Sequence, residues 1–440
     1  MPGGRGHHTQ GAVPVKRTLE IKIALVLMAL GQVCLATLAV AQEVPRRVTL
    51  PEALELFGRE NLDLRLARAA AAEAEGLARQ AAALPNPTLT ATHEPLSGGG
   101  DRYSESYVNL SQRFEWPGTR STRQRSAARI AAAARARLAA DSARLAFTVK
   151  AAYVEAARAE RATAVLDRVT AVFREAERRA SDRLREGDIS DYDFRRIRVE
   201  RARYETQLAE AELDGASARR ALASLVAPSS DDLELAPAEP LAGDPPRLET
   251  DRVLATTLSR RREIGAAEAE LQAARAAATV SARERIPDIT ATGGYKRQSD
   301  GRAGAFFGLS LPVPLWDRRA GAVGAAEARV LAAESRLALI RRQVENDVRR
   351  ALETYQSLTR RAALLFEPLT EQAADLVEIA QVAYEAGEMD LIGVLDAAAA
   401  LREAHIAEAR LRADLWTGYY DLERAVGGFD GAMDESEDGQ

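Results

Sequence analysis

Cysteine is almost missing: Cys34 is the one cysteine in 440 residues. It lies inside an apolar run near the N-terminus, so the rest of the chain has no disulfide, thiolate metal site or cysteine nucleophile. Of four histidines, only His93 and His405 lie beyond that run. They are too few and too far apart in sequence for a dedicated metal site. Beyond it, methionine is limited to Met389 and Met433, which excludes a soft thioether track for copper. Lysine occurs four times among 60 basic residues, set against 65 acidic ones, and the net charge is −5. No basic field for nucleic acid results. Phosphate-binding loops and nucleophile motifs are also lacking. These absences argue against an enzyme and against a bound cofactor. Aromatic residues make up only 5% of the chain, while Ala, Arg, Glu and Leu abound. That composition favours long packed helices, and the 46% hydrophobic content is too high for disorder.

The start of the chain is an address. Lys16, Arg17 and Lys22 precede the apolar run Ile23 to Leu38, and Ala39-Val40-Ala41 forms an A-x-A site. This is the pattern of a secretory signal peptide over residues 1–41. A single membrane anchor is the alternative, for which the run is short. Val33 precedes Cys34 where lipid attachment needs a small residue, so lipidation is not expected. Removing four basic and one acidic side chain with the leader leaves 56 and 64, a net of −8. No later stretch reaches the roughly 18 apolar residues of a membrane helix. Any membrane contact of the mature chain must therefore use strands.

The chain reads twice. Pro87-Thr88-Leu89-Thr90-Ala91-Thr92 returns as Pro287-Asp288-Ile289-Thr290-Ala291-Thr292. Gly187-Asp188-Ile189 returns as Gly387-Glu388-Met389, and Leu222 to Val226 returns as Leu422 to Val426. The shared offset of 200 marks an internal duplication. Residues 42–226 form the first unit and 248–427 the second. Between them, 227–247 holds five of the 17 prolines and reads as a linker. An acidic tail, 428–440, closes the chain.

Each unit repeats one order: helix, two strands, very long helix, glycine turn, returning helix. The first helices are expected from about Glu52 to Ala83 and from about Thr250 to Arg285. Thr49 and Glu52 have capping-box spacing. From Thr119 to Arg185 there is no proline or glycine, which predicts a helix roughly 100 Å long. Its counterpart spans about Arg319 to Glu385, with a kink expected at Pro368. Val323, Ala326, Val330, Ala333, Leu337, Ile340 and Val344 alternate spacings of three and four. The series resumes at Val348, Ala351, Tyr355, Leu358 and Ala362 with one extra residue, a heptad seam with a stutter.

The hairpins 87–116 and 287–316 alternate. Val108, Leu110, Gln112, Phe114 and Trp116 share one face; Phe307, Leu309, Leu311, Val313 and Leu315 do the same in the second copy. Each segment has the length of a tilted membrane-spanning strand, and Trp116 and Trp316 stand where an aromatic girdle would sit. Two ordinary hairpins on a soluble helical protein are the alternative. Four strands cannot close a barrel, so a membrane role requires several chains to share one.

With this architecture, the sequence resembles the TolC family of outer-membrane efflux channels over nearly all of the mature chain. The resemblance rests on the tandem unit, on Leu84-Pro85-Asn86-Pro87 and on the turns at Gly187 and Gly387. It rests also on Leu110-Ser111-Gln112 followed by Phe114-Glu115-Trp116-Pro117-Gly118. That last segment is most similar to the CzcC branch of cobalt–zinc–cadmium efflux proteins, although Thr119 stands where the branch usually has lysine. The resemblance implies a mainly helical fold with a small β part. Three chains would share a twelve-stranded barrel in outer-membrane lipid and a periplasmic α-barrel, with the linker at its equatorial belt. It implies a periplasmic adaptor (a membrane fusion protein) and an inner-membrane resistance–nodulation–division pump as partners, and divalent cations as cargo. Drug efflux or type I protein secretion through the same fold is the alternative, and a periplasmic coiled-coil scaffold or adaptor is the alternative of another class.

The resemblance also points to residues at the tip. Tyr384 and Asp193 match a tyrosine–aspartate pair that helps hold the tip closed, and Asp396 matches one aspartate ring. Gly393 stands at the second ring position and Met389 replaces an arginine of the lock.

Overall fold

The computed structural model describes residues 47–98, 101–228, 235–238, 243, 245–246, 260–386 and 388–428. The leader, much of the linker, the first residues expected of the second unit's helix, Gly387 and nearly all of the acidic tail lie outside them. No helix among the described residues is long and apolar enough to cross a membrane.

Two short helices open the first unit, α1 (Leu50–Glu60) and α2 (Leu62–Ala81). Thr49 caps α1 in a full capping box: its backbone N–H donates to Glu52 Oε2 at 2.7 Å, and its hydroxyl accepts from the Glu52 N–H. The expected single helix is broken at Asn61. Its Oδ1 accepts from the Leu64 N–H at 2.8 Å, which starts a new helix. Its Nδ2 donates to the Leu225 carbonyl at 2.8 Å.

The long helices follow the strands. In the first unit α3 (Thr119–Glu186) runs 68 residues and α4 (Asp191–Val226) returns over 36. In the second, α5 (Arg262–Arg283) precedes the strands, α6 (Ala320–Glu385) runs 66 residues and α7 (Leu391–Val426) returns over 36. Helix α6 continues through Pro368. Arg261 Nη1 donates to the Ala425 carbonyl at 2.8 Å. This is the same joint as Asn61 on Leu225, displaced by 200 in both partners. In each unit a short helix thus begins where the returning helix ends, and the two lie end to end along the long helix. The α6 seam is the buried face: Leu337, Val344, Val348, Ala351, Tyr355, Leu358 and Ala362 pack with Leu271 of α5 and Leu411, Leu415 and Leu422 of α7.

Strands β2 (Thr88–Gly98), β3 (Asp101–Phe114), β5 (Ile289–Gln298) and β6 (Ala303–Ser310) form one antiparallel sheet in the order β2-β3-β5-β6. The two hairpins meet at β3 and β5, with Leu110 opposite Gly293. Strand β6 stops at Ser310, short of the expected 316. Pro312 and Pro314 cannot donate to a ladder, so Leu311, Val313 and Leu315 are not strand residues.

At mid-length the described linker pieces bind the helices. Strand β1 (Arg47–Val48) pairs in parallel with β4 (Ala236–Pro237). Tyr153, Tyr355 and Trp416 donate to the carbonyls of Val48, Pro246 and Gly243. Nearby, Glu408 of α7 is buried among Arg161 of α3 (3.4 Å), Arg412 (2.8 Å) and His405 (3.4 Å). Burial pushes its carboxyl pKa up, but Arg161, His405 and Arg412 outweigh burial and hold it below the usual carboxylate range. A depressed carboxylate adds stability above its unfolded pKa and loses it as pH falls through the folded one. Glu408→Gln is therefore expected to cost about 2 kcal/mol at pH 7, the two arginines being partly solvated. It should also reduce the loss of melting temperature below about pH 4.5. Melting curves of the detergent-solubilised protein from pH 7 to pH 4 test this. Parallel curves for variant and wild type would remove Glu408 from the acid response.

Candidate functional site

The sheet has two unlike faces. Alternation and register put Leu89, Ala91, Val108, Leu110, Phe114, Tyr295, Phe307 and Leu309 on one side. The large ones among them are solvent-exposed in the single chain, Phe307 at 87% and Leu309 at 81%. Thr90, Thr92, Tyr107, Asn109, Ser111, Thr292 and Lys296 share the other side. There Glu105 accepts from Tyr103 (2.9 Å) and Gln298 (2.8 Å) and pairs with Lys296 at 2.5 Å. One face thus suits hydrocarbon and the other suits water. His93 stands on the apolar side, beside Ser106, rather than on the polar one.

Both sheet edges, β2 and β6, are unpaired among the described residues. Apolar side chains are exposed on the helices as well: Leu66 and Leu77 on α2, and Leu331, Leu339, Leu376, Ile379 and Val382 on α6. A row of unpaired amides above exposed apolar stripes leaves this surface incomplete in one chain.

At the far end of the helices, Gly187 ends α3 with φ +85°, a conformation that side chains with a Cβ resist. Ser190 caps α4, accepting from the Asp193 N–H at 3.1 Å. The Ser190 hydroxyl donates back to the Asp193 carboxylate at 2.6 Å. The expected Tyr384–Asp193 bond is not formed. Asp193 is engaged by its own helix cap, and the Tyr384 hydroxyl accepts from Arg183 Nη1 at 2.9 Å. The Arg183 guanidinium also lies 6.0 Å from the Tyr384 ring centre. Arg183 of α3 thus links the two long helices near their tips, a partner the sequence comparison missed.

The second turn departs further. Asp390 caps α7 through the Gly393 N–H at 2.9 Å. Met389 Sδ lies only 2.6 Å from where a Gly393 Cβ would stand. The two residues that replace the lock's arginine and second aspartate therefore pack on each other. Asp396 is exposed in a cleft between α4 and α7, near Arg196, Glu200 and Arg402. Gly387 lies outside the described residues. Among the described residues no group of three or more His, Cys, Asp or Glu side chains could hold a metal ion.

A two-faced, open-edged sheet carried on paired helices of 68 and 36 residues leaves apolar surface and strand edges uncovered in one chain. Residues 253–428 match the outer membrane efflux protein family. The chain is 26% identical over 387 residues to the cobalt-zinc-cadmium resistance protein CzcC of Cupriavidus metallidurans, covering 88% of this chain and 91% of that one. Its fold matches the CmeC outer membrane channel of Campylobacter jejuni with a TM-score of 0.74 and 18% identity, over 86% of this chain and 85% of that one. It also matches the open state of the MtrE outer membrane channel of Neisseria gonorrhoeae, with a TM-score of 0.70 and 22% identity over 86% and 89%. Residues 253–428 thus carry the outer membrane efflux protein family's domain, in a chain whose fold is that of outer-membrane channels. Channels of this family are homotrimeric outer-membrane ducts that work with efflux pumps.

Proposed function

We propose that three copies close the sheet into a twelve-stranded barrel and the helices into a periplasmic tunnel. This assembly would be the exit duct of a tripartite system with a periplasmic adaptor and an inner-membrane resistance–nodulation–division pump. The observation that carries the reading is the four-stranded sheet with one apolar face and two unpaired edges. In lipid each unpaired amide costs several kcal/mol, so the edges must find partners. Two copies supply only the strand number of the smallest bacterial barrels, while three leave a water-filled lumen.

The cargo we infer is divalent metal cations of the cobalt, zinc and cadmium class. Likeness to CzcC over nearly the whole chain supports this, as does the segment Phe114-Glu115-Trp116-Pro117-Gly118. The duct itself offers a path rather than a binding site, and selection would fall to the pump. Deleting the gene should lower the tolerated concentration of zinc, cobalt or cadmium several-fold and leave drug tolerance unchanged. Sensitivity to drugs alone would overturn the metal assignment and leave the duct standing.

A further inference from the structure

The apolar face of the sheet carries one polar row. His93, Ser106 and Arg297 are cross-strand neighbours on β2, β3 and β5. His93 Nδ1 lies 2.8 Å from Ser106 Oγ. The row sits toward the hairpin turns, at the end of the sheet away from the helices. Two residues nearer the helices, Ala91, Val108 and Tyr295 continue the same face. Together these six side chains line a shallow groove, apolar along its length and polar at its head.

Charge is sorted across the sheet at this level. The carboxylates Glu94 and Glu105 are one residue out of phase with the row and so belong to the opposite face, where Glu105 is held by Lys296, Gln298 and Tyr103. Arg297 is exposed and has no carboxylate partner among the described residues. An arginine at the margin of an apolar band is costly unless it reaches water or an anion. Its planar fork matches two oxygens of a phosphate, and a hydroxyl on the next strand and an imidazole on the one beyond add further donors.

We propose that this row is a binding site for a phosphorylated, acylated lipid of the outer leaflet. The phosphate would sit on Arg297, His93 and Ser106, with an acyl chain along Ala91, Val108 and Tyr295. The inference rests on the barrel reading above, because it requires this face to meet lipid. It assigns the outer rim of each protomer a lipid contact that orients the barrel by charge as well as by its apolar band.

The test uses the full-length protein extracted in detergent as a trimer. Bound lipid is counted by native mass spectrometry after incubation with bis-phosphorylated lipid A or with the same lipid after removal of its phosphates. Wild type is expected to hold the phosphorylated form about tenfold more tightly. Replacing both side chains (Arg297→Gln with His93→Gln) should erase that preference, and Arg297→Lys should restore part of it. Equal retention of the two lipids by wild type would overturn the site, a result that needs no variant. So would an unchanged preference in the double variant. Loss of the preference in millimolar inorganic phosphate would reassign the row to a free anion and overturn the lipid assignment. Extraction as monomers that bind no lipid at all would instead overturn the barrel reading, a distinguishable failure.

Discussion

Phe307→Arg is expected to abolish assembly in the outer membrane, while Phe307→Leu leaves it intact. From Ser106 to Phe114 the strand rises about 27 Å, or about 21 Å vertically at a tilt near 40°, close to the height of a barrel's apolar band. Phe307 lies in the row Leu89, Leu110, Gly293, Phe307, near the middle of that height. A charged side chain at the bilayer midplane of a barrel costs about 2–4 kcal/mol. Three copies bring the cost to about 6–12 kcal/mol per trimer. Phe307 also covers Gly293, whose missing Cβ would lie 3.5 Å from the ring; that cover would be weakened by the same change. For a soluble scaffold the outcome is opposite. Phe307 is 87% exposed in the single chain, and an exposed substitution in water stays within about 0.5 kcal/mol. The measurement is the amount of trimer in the outer-membrane fraction and its melting temperature. Wild-type values for Phe307→Arg would mean that this face never meets lipid.

Much of this fold was legible in the sequence because its signals are long and repeated. The α6 seam from Val330 to Ala362 is the buried face, since a period sustained over many turns leaves little room for another packing. The strand faces were legible for the same reason, as alternation fixes which side chains share a side. Misses came where a single side chain decides. Asn61 breaks a helix that composition alone continues, because its amide can cap one helix and reach the end of another. Its position 200 residues before Arg261, which makes the matching joint on Ala425, was the available signal. The end of β6 was visible in Pro312 and Pro314, outweighed by the alternation of Leu311, Val313 and Leu315.

The tip shows why residue matching fails where architecture matching succeeds. Asp193 stands at the matching position, yet it is also three residues after Ser190, and a local cap forms at less entropic cost than a contact between separate helices. Tyr384 is then free for the nearest cation, Arg183. That partner sits four residues before Gly187, in the last turn of α3, where a basic side chain also favours the helix end.

Gating should follow the partner that is present. Arg183→Ala is expected to raise single-channel conductance, or the open fraction, more than Tyr384→Phe does. It removes both the hydrogen bond and the guanidinium from the ring, whereas Tyr384→Phe keeps the ring. Asp193→Ala should leave conductance unchanged while weakening the start of α4 by about 0.5–1 kcal/mol, because the Ser190 cap on the backbone N–H survives. Both latch residues are half-buried, so each contact is worth about 1 kcal/mol after solvent screening. If three latches must release together, their loss shifts the closed-to-open ratio by about 100-fold. The Met389–Gly393 contact supplies no charge, so it adds no electrostatic restraint to this latch. Planar-bilayer recordings on the three single variants decide the matter. Unchanged conductance in Arg183→Ala would remove this latch from the gate. An Asp193→Ala effect as large as that of Tyr384→Phe would restore the tyrosine–aspartate pair, formed in the trimer but not in the single chain.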